Sequence, residues 1–246
     1  MKKLSRVTES EVIAEFLKGE FYHAEYDSDR AFFESLVFDP HLGDPAENAL
    51  RRALLFRRRA TMWRELPSDT QWWEIELEPE DLERVNVFPR AQWRSIAQGN
   101  FRALHVAELI HRQFDPAKPG DLAAKIHSLR TLMNGDGPRS TILLIGVDES
   151  LPATLLEGNH RFVASLLLPR DIMLRRLRVV CGFSPDMEKC CWYKTTLTNL
   201  GRYLKNRIRY SWRRNTDVKR LLPQTVRSQS VEHYASQAGV PTTKSE

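Results

Sequence analysis

Long apolar runs are missing from this sequence. No segment reaches the roughly 18 uncharged residues of a membrane-spanning helix. The basic start Met1-Lys2-Lys3 leads into Arg6, Glu9, Glu11 and Glu15 instead of the apolar stretch of a signal peptide. Cysteine is scarce as well. Cys181, Cys190 and Cys191 include no C-x-x-C pair, which argues against a zinc ribbon or a dithiol redox motif. His105, His111 and His127 stand at no convincing metal-ligand spacing with a carboxylate, so no metal site is assigned, and no internal repeat is found. We therefore expect a soluble, cytoplasmic chain with reduced thiols and no membrane partner.

What is present suffices for a folded core, because 41% of the 246 residues are hydrophobic and 9% aromatic. The formal net charge of +5 and an isoelectric point near 9.2 permit an anionic partner without requiring one.

Thr8-Glu9-Ser10-Glu11 has the form of a capping box ahead of Val12, Ile13, Phe16 and Leu17, which predicts a helix that Gly19 ends. The aromatic-rich stretch 20–37 reads as helix interrupted at Asp27-Ser28-Asp29, with Asp29 capping its second half. Asp44-Pro45 supplies an N-cap and a proline at the first helical position. The helix behind it, ending before Pro67, carries Leu50, Leu54, Leu55, Met62 and Trp63 for burial, and Arg51, Arg52, Arg57, Arg58, Arg59 and Arg64 for exposure. Residues 71–78, with Trp72, Trp73, Ile75 and Leu77, read as the first strand of the sheet, and Pro79 opens a short helix. Helical patterns follow over 89–113, broken at Gly99-Asn100, and over 121–133.

Residues 141–169 organise the rest. Apolar strands at 141–147 and 153–157 run into Glu157-Gly158-Asn159-His160-Arg161, and a helix then continues to about Leu168. Gly158 lets the backbone pass close to a ligand, and the first N–H groups of the helix favour an anion, with phosphate the natural guess. The plainer alternative is a solvated turn with Glu157 as N-cap and Arg161 as a surface charge. A further strand is expected at 174–183, and Ser184-Pro185-Asp186 opens another helix. The last helical pattern, 196–222, is heavily basic through Arg202, Lys205, Arg207, Arg209, Arg213 and Arg214, with Tyr203, Tyr210 and Trp212 interleaved. That composition suits a nucleic-acid backbone or an acidic partner.

The apolar strand, the Glu157-to-Arg161 corner, the small helix with Ala164 and the Val-rich strand after it resemble the nucleotide-binding core of the ParB/sulfiredoxin-like superfamily, which includes the free-serine kinases. Residues 71–86 resemble the opening strand and short helix of such domains, so the likeness covers about 71–183. It implies an α+β fold: a small mixed β-sheet flanked by helices, with a helical N-terminal region over 1–68 and the nucleotide-binding core over 69–195. The basic helix over 196–222 and a flexible tail over 223–246 complete the expected division. Gly158 matches the motif glycine, His160-Arg161 match the His-Arg of the sulfiredoxin and kinase versions, and Glu157 takes the place of the kinase acidic residue. The resemblance thus implies Gly158, Asn159, His160 and Arg161 as phosphate-binding residues for ATP or CTP with Mg2+, and Glu157 as the catalytic candidate.

Departures from the family narrow the chemistry. Asn159 stands where sulfiredoxin has its catalytic cysteine, which removes a sulfinic-acid relay. His160 replaces the first of the paired arginines of ParB, and no helix-turn-helix is evident after the core. The leading expectation is a nucleotide-phosphate-binding protein with phosphotransfer or NTP hydrolysis as its chemistry. The alternative is a DNA- or RNA-binding accessory protein that works through the basic helix, the corner being structural.

Overall fold

A computed structural model describes residues 1–89, 92–113 and 120–212. Among these residues one six-stranded sheet forms from β1 (Lys2–Val7), β2 (Gln71–Glu76), β3 (Val85–Asn86), β4 (Ser140–Gly146), β5 (Ala153–Glu157) and β6 (Leu177–Phe183). The strand order is β1-β2-β6-β4-β5-β3. The pairs β4–β6 and β3–β5 are parallel and the remaining neighbours antiparallel. The fold is therefore mixed α+β, with helices against both faces of a mixed sheet.

The central strand shows why two layers of helices are needed. Every residue of β4 from Thr141 to Gly146 is buried. Its side chains alternate between two cores, as the two-residue period of a strand requires. Leu143 and Ile145 join Phe16, Leu17, Phe33 and Leu54 from α1 (Glu9–Glu20), α2 (Asp27–Phe38) and α3 (Pro45–Trp63). Ile142 and Leu144 join residues of the second helical layer. That layer includes Trp93 of α4 (Gln92–Ala97), Val106 of α5 (Ala103–Gln113), Ile126 of α6 (Asp121–Asn134), Phe162 of α7 (Asn159–Ser165) and Met173 of α8 (Arg170–Arg176). The short helix expected after β2 is present at Pro79–Leu82, and α9 (Leu197–Trp212) is the last described element.

Several expectations need correction. The first strand of the sheet is β1, not the 71–78 segment. β1 is an edge strand with five of its six residues exposed, so it carries no apolar alternation to read. Gly19 does not end α1, which continues to Glu20. Asp29 is not a cap: α2 starts at Asp27, and Asp29 is buried beside Arg57 and Arg58. Arg51 is not exposed. Its side chain is fully buried, and its guanidinium donates to the carbonyls of Leu36 (3.1 Å) and His41 (3.0 Å), to Glu47 Oε2 (2.9 Å) and to Asn48 Oδ1 (2.6 Å). The 174–183 segment begins as the end of α8 and becomes strand only at Leu177. Ser184 does cap the turn after β6, accepting from the Asp186 N–H at 3.1 Å, but that turn is a short 3-10 helix over Pro185–Lys189.

Candidate functional site

The Glu157-to-Arg161 corner lies where β5 leaves the sheet and α7 begins. Gly158 makes the turn in the left-handed region at φ 86°, and a Cβ there would lie 2.6 Å from Ile142 Cδ1. Only glycine meets both conditions without displacement. Gly158, not Glu157, holds the N-cap position of α7, which corrects the plainer expectation of a Glu157 cap.

Releasing Glu157 from capping turns its side chain inward against α1. A Cβ on Gly19 would come within 2.6 Å of the Glu157 carboxyl, so that glycine is a clearance in the helix wall. The carboxyl is only 12% exposed and pairs closely with Arg161, itself 25% exposed. Burial pushes the Glu157 pKa from 4.5 up to about 7. Arg161 and the Gly158 N–H oppose that rise, and the neighbouring Glu20 adds to it. Glu20 is itself held by Arg59, whose Nε lies 2.7 Å from Glu20 Oε2.

The next two residues face different partners. Asn159 Oδ1 accepts the Phe88 N–H at 2.9 Å, which ties the segment after β3 to the start of α7. The His160 ring lies 5.1 Å from the Trp93 ring, and its Nε2 meets the Gln92 side-chain amide. Burial first, then Lys125, His23 and Arg161, lower its pKa to about 4. His160 is thus neutral at pH 7, and accepting the amide proton places its own proton on Nδ1.

These groups open onto a cleft of about 300 Å³ shared by Gly19, Glu20, His23, Trp93, Lys125 and the five corner residues. The structure therefore brings all five sequence-derived residues, Glu157, Gly158, Asn159, His160 and Arg161, to one cleft wall. It adds Lys125, His23 and Glu20 from α6 and the α1 end, which sequence reasoning does not reach. A glycine directly after an apolar helix pattern is the one trace of that wall in the sequence. Among the described residues no three His, Cys, Asp or Glu side chains form a metal-holding group.

The basic helix is a separate feature. α9 has no acidic residue along its length, and Lys205 and Arg207 are exposed. Arg202 is also exposed, and its guanidinium donates to the Lys189 carbonyl at 3.2 Å. Asn199 and Asn206 anchor the helix through the Glu188 carbonyl (2.8 Å) and Glu65 (2.9 Å). Arg209 belongs to α9, whereas Arg213, Arg214 and the 223–246 tail lie outside the described residues. No helix among the described residues is long and apolar enough to cross a membrane.

Comparison with protein-family models, curated proteins and solved structures finds no match to this chain.

Proposed function

We propose that the corner cleft binds the phosphates of a nucleoside triphosphate, ATP or CTP, and that the chain acts as a nucleotide-binding protein of ParB/sulfiredoxin-like type. The observation that carries this reading is the partly buried Glu157–Arg161 pair at a left-handed glycine turn, with the Glu157 pKa near neutrality. A carboxyl poised near pH 7 is suited to general-base work. Arg161 keeps its charge at any working pH and presents a planar fork to phosphate oxygens. Lys125 supplies a second cation in the same cleft.

The residues present fit such a ligand. Glu157 and Glu20 both line the cleft, and Mg2+ needs only one or two carboxylates beside phosphate oxygens. A bound nucleotide would supply the transferable phosphoryl group. Arg161 and Lys125 would hold and neutralise its oxygens. His160, neutral with its proton on Nδ1, would contribute a hydrogen-bond donor without adding charge. Glu157, once ionised, would accept the proton of an attacking hydroxyl or water, the proton passing to a carboxylate oxygen. Such chemistry depends chiefly on positioning and charge stabilisation.

Thermal unfolding with each of the four nucleoside triphosphates plus Mg2+, followed by calorimetry with ATP and CTP, tests the proposal. The expected result is stabilisation by at least one nucleotide, with Arg161→Ala weakening its binding by about 1.5–3 kcal/mol. Absence of binding by all four would reject it.

A second reading rests on α9, whose exposed Lys205 and Arg207 stand on a helix without acids. It makes the chain a DNA- or RNA-binding protein whose affinity falls steeply with salt. Unchanged nucleic-acid affinity after removal of 196–246 would refute it.

A further inference from the structure

A second cleft, of about 410 Å³, has a charged lining that is entirely cationic among the described residues. Arg94, Arg102 and Lys194 contribute the charges, and Asn86, Asn100 and Thr195 are among its polar groups. α4 separates the two clefts, since Trp93 faces the corner while Arg94 lines this one. All three cations are exposed. Among the described residues neither Arg94 nor Arg102 has a carboxylate within ion-pair distance, and Lys194 has only Glu188 at 3.9 Å. Among the described residues the cleft therefore gathers positive charge with one distant carboxylate, Glu188, to offset it.

The backbone around it is held open. The turn after α4 takes two successive residues into the left-handed region, Gln98 at φ 49° and Gly99 at φ 89°. The Asn100 N–H returns to the Ala97 carbonyl at 2.8 Å, and the Phe101 carbonyl accepts the Val87 N–H at 2.8 Å. Asn100 Oδ1 accepts the Arg102 N–H at 3.2 Å, which commits the amide oxygen and leaves its NH2 as a donor. A Cβ on Gly99 would meet nothing within 4 Å, so the rim beside these donors is open space. Val87, Pro89, Phe101 and Tyr193 also line it.

We propose that this cleft is a second anion site, for a phosphate-bearing small molecule of about nucleotide size, bound independently of the corner. Two guanidinium forks, an ammonium and an amide donor match the oxygens of a phosphate or pyrophosphate group, and the apolar wall accepts the organic part. The expectation does not depend on the corner binding anything.

Calorimetric titration of the full chain with inorganic pyrophosphate and with 5′-AMP tests it. The Arg94→Ala/Arg102→Ala double variant is expected to bind at least about tenfold more weakly at this site, because each guanidinium contributes a charge-assisted contact. Lys194→Glu, at an exposed position, should reproduce the loss. Arg161→Ala should leave the site unchanged, so a failed corner reading would still give one site that only the Arg94, Arg102 and Lys194 substitutions abolish. Pyrophosphate and AMP affinities that both ignore those substitutions would overturn the proposal. So would binding of single-stranded oligonucleotides with none of either small ligand.

Discussion

Replacing Glu157 by Gln isolates the electrostatic strain at the corner. The folded-state pKa of about 7 lies above the ordinary 4.5, so the native protein holds this proton more tightly than the unfolded chain does. Stability from that proton is fully present below pH 4.5 and is lost as pH rises through about 7. The difference corresponds to about 3 kcal/mol between pH 4.5 and 8 at full strength, and to about 1–3 kcal/mol once residual solvent access is allowed for. Gln resembles the protonated carboxyl in shape and neutrality, and its oxygen can still accept from Arg161. The variant should therefore lie within about 1 kcal/mol of the native chain near pH 5 and exceed its stability near pH 8 by that margin. Urea unfolding of both proteins at half-unit steps from pH 5 to 8 measures the gap, provided the slopes with urea agree. A gap independent of pH would refute the argument. A gap of opposite sign, with the native chain gaining on the variant as pH rises, would show that the attraction of Arg161 outweighs burial.

Two other substitutions separate scaffold from chemistry. Asn159→Ala removes the acceptor of the Phe88 N–H and should cost about 1–2 kcal/mol in denaturant unfolding. Nucleotide affinity of the surviving folded protein should change little, because Ala retains the backbone N–H that position 159 would offer a phosphate. Gly158→Ala combines a left-handed backbone with an overlap on Ile142 and should cost about 2–4 kcal/mol by the same measurement. A near-neutral effect would mean that the turn relaxes away from its left-handed geometry.

Local signals made much of the fold legible. Thr8 Oγ1 accepts the Glu11 N–H at 3.2 Å and Asp44 Oδ1 the Ala46 N–H at 2.7 Å, because caps are satisfied within a few residues of the side chain that makes them. The β4-turn-β5-corner-α7 order was readable for the same reason. Features set by distant partners were not. β1 is a polar edge held by β2, Arg51 is buried because four acceptors surround it, and the α8 segment resembles a strand by composition alone. Gly19 is the instructive case. Glycine after an apolar pattern normally marks a helix end, yet here its missing Cβ admits a carboxyl from a strand 138 positions further along the chain. The five corner residues could be named from sequence because they are contiguous. Glu20, His23 and Lys125 could not, since only tertiary packing brings them to the cleft.

The same Glu157–Arg161 contact links phosphate binding to a proton. In the ligand-free cleft Arg161, more than the Gly158 N–H, opposes the burial that raises the Glu157 pKa to about 7. A phosphate group that draws the guanidinium to itself removes this help and places a second negative charge nearby. Both changes favour protonated Glu157, so with Mg2+ withheld its pKa in the complex should rise further, whereas Mg2+ beside the same carboxylate would oppose that rise. Binding at the corner should then take up a proton between the free and bound values, with affinity falling by up to about tenfold per pH unit across that interval. Calorimetry without Mg2+ at pH 7.5 in two buffers of different ionisation enthalpy measures the uptake directly, and Glu157→Gln should abolish it. Binding without proton uptake in the native chain would mean that Arg161 stays with Glu157, leaving Lys125 to hold the anion.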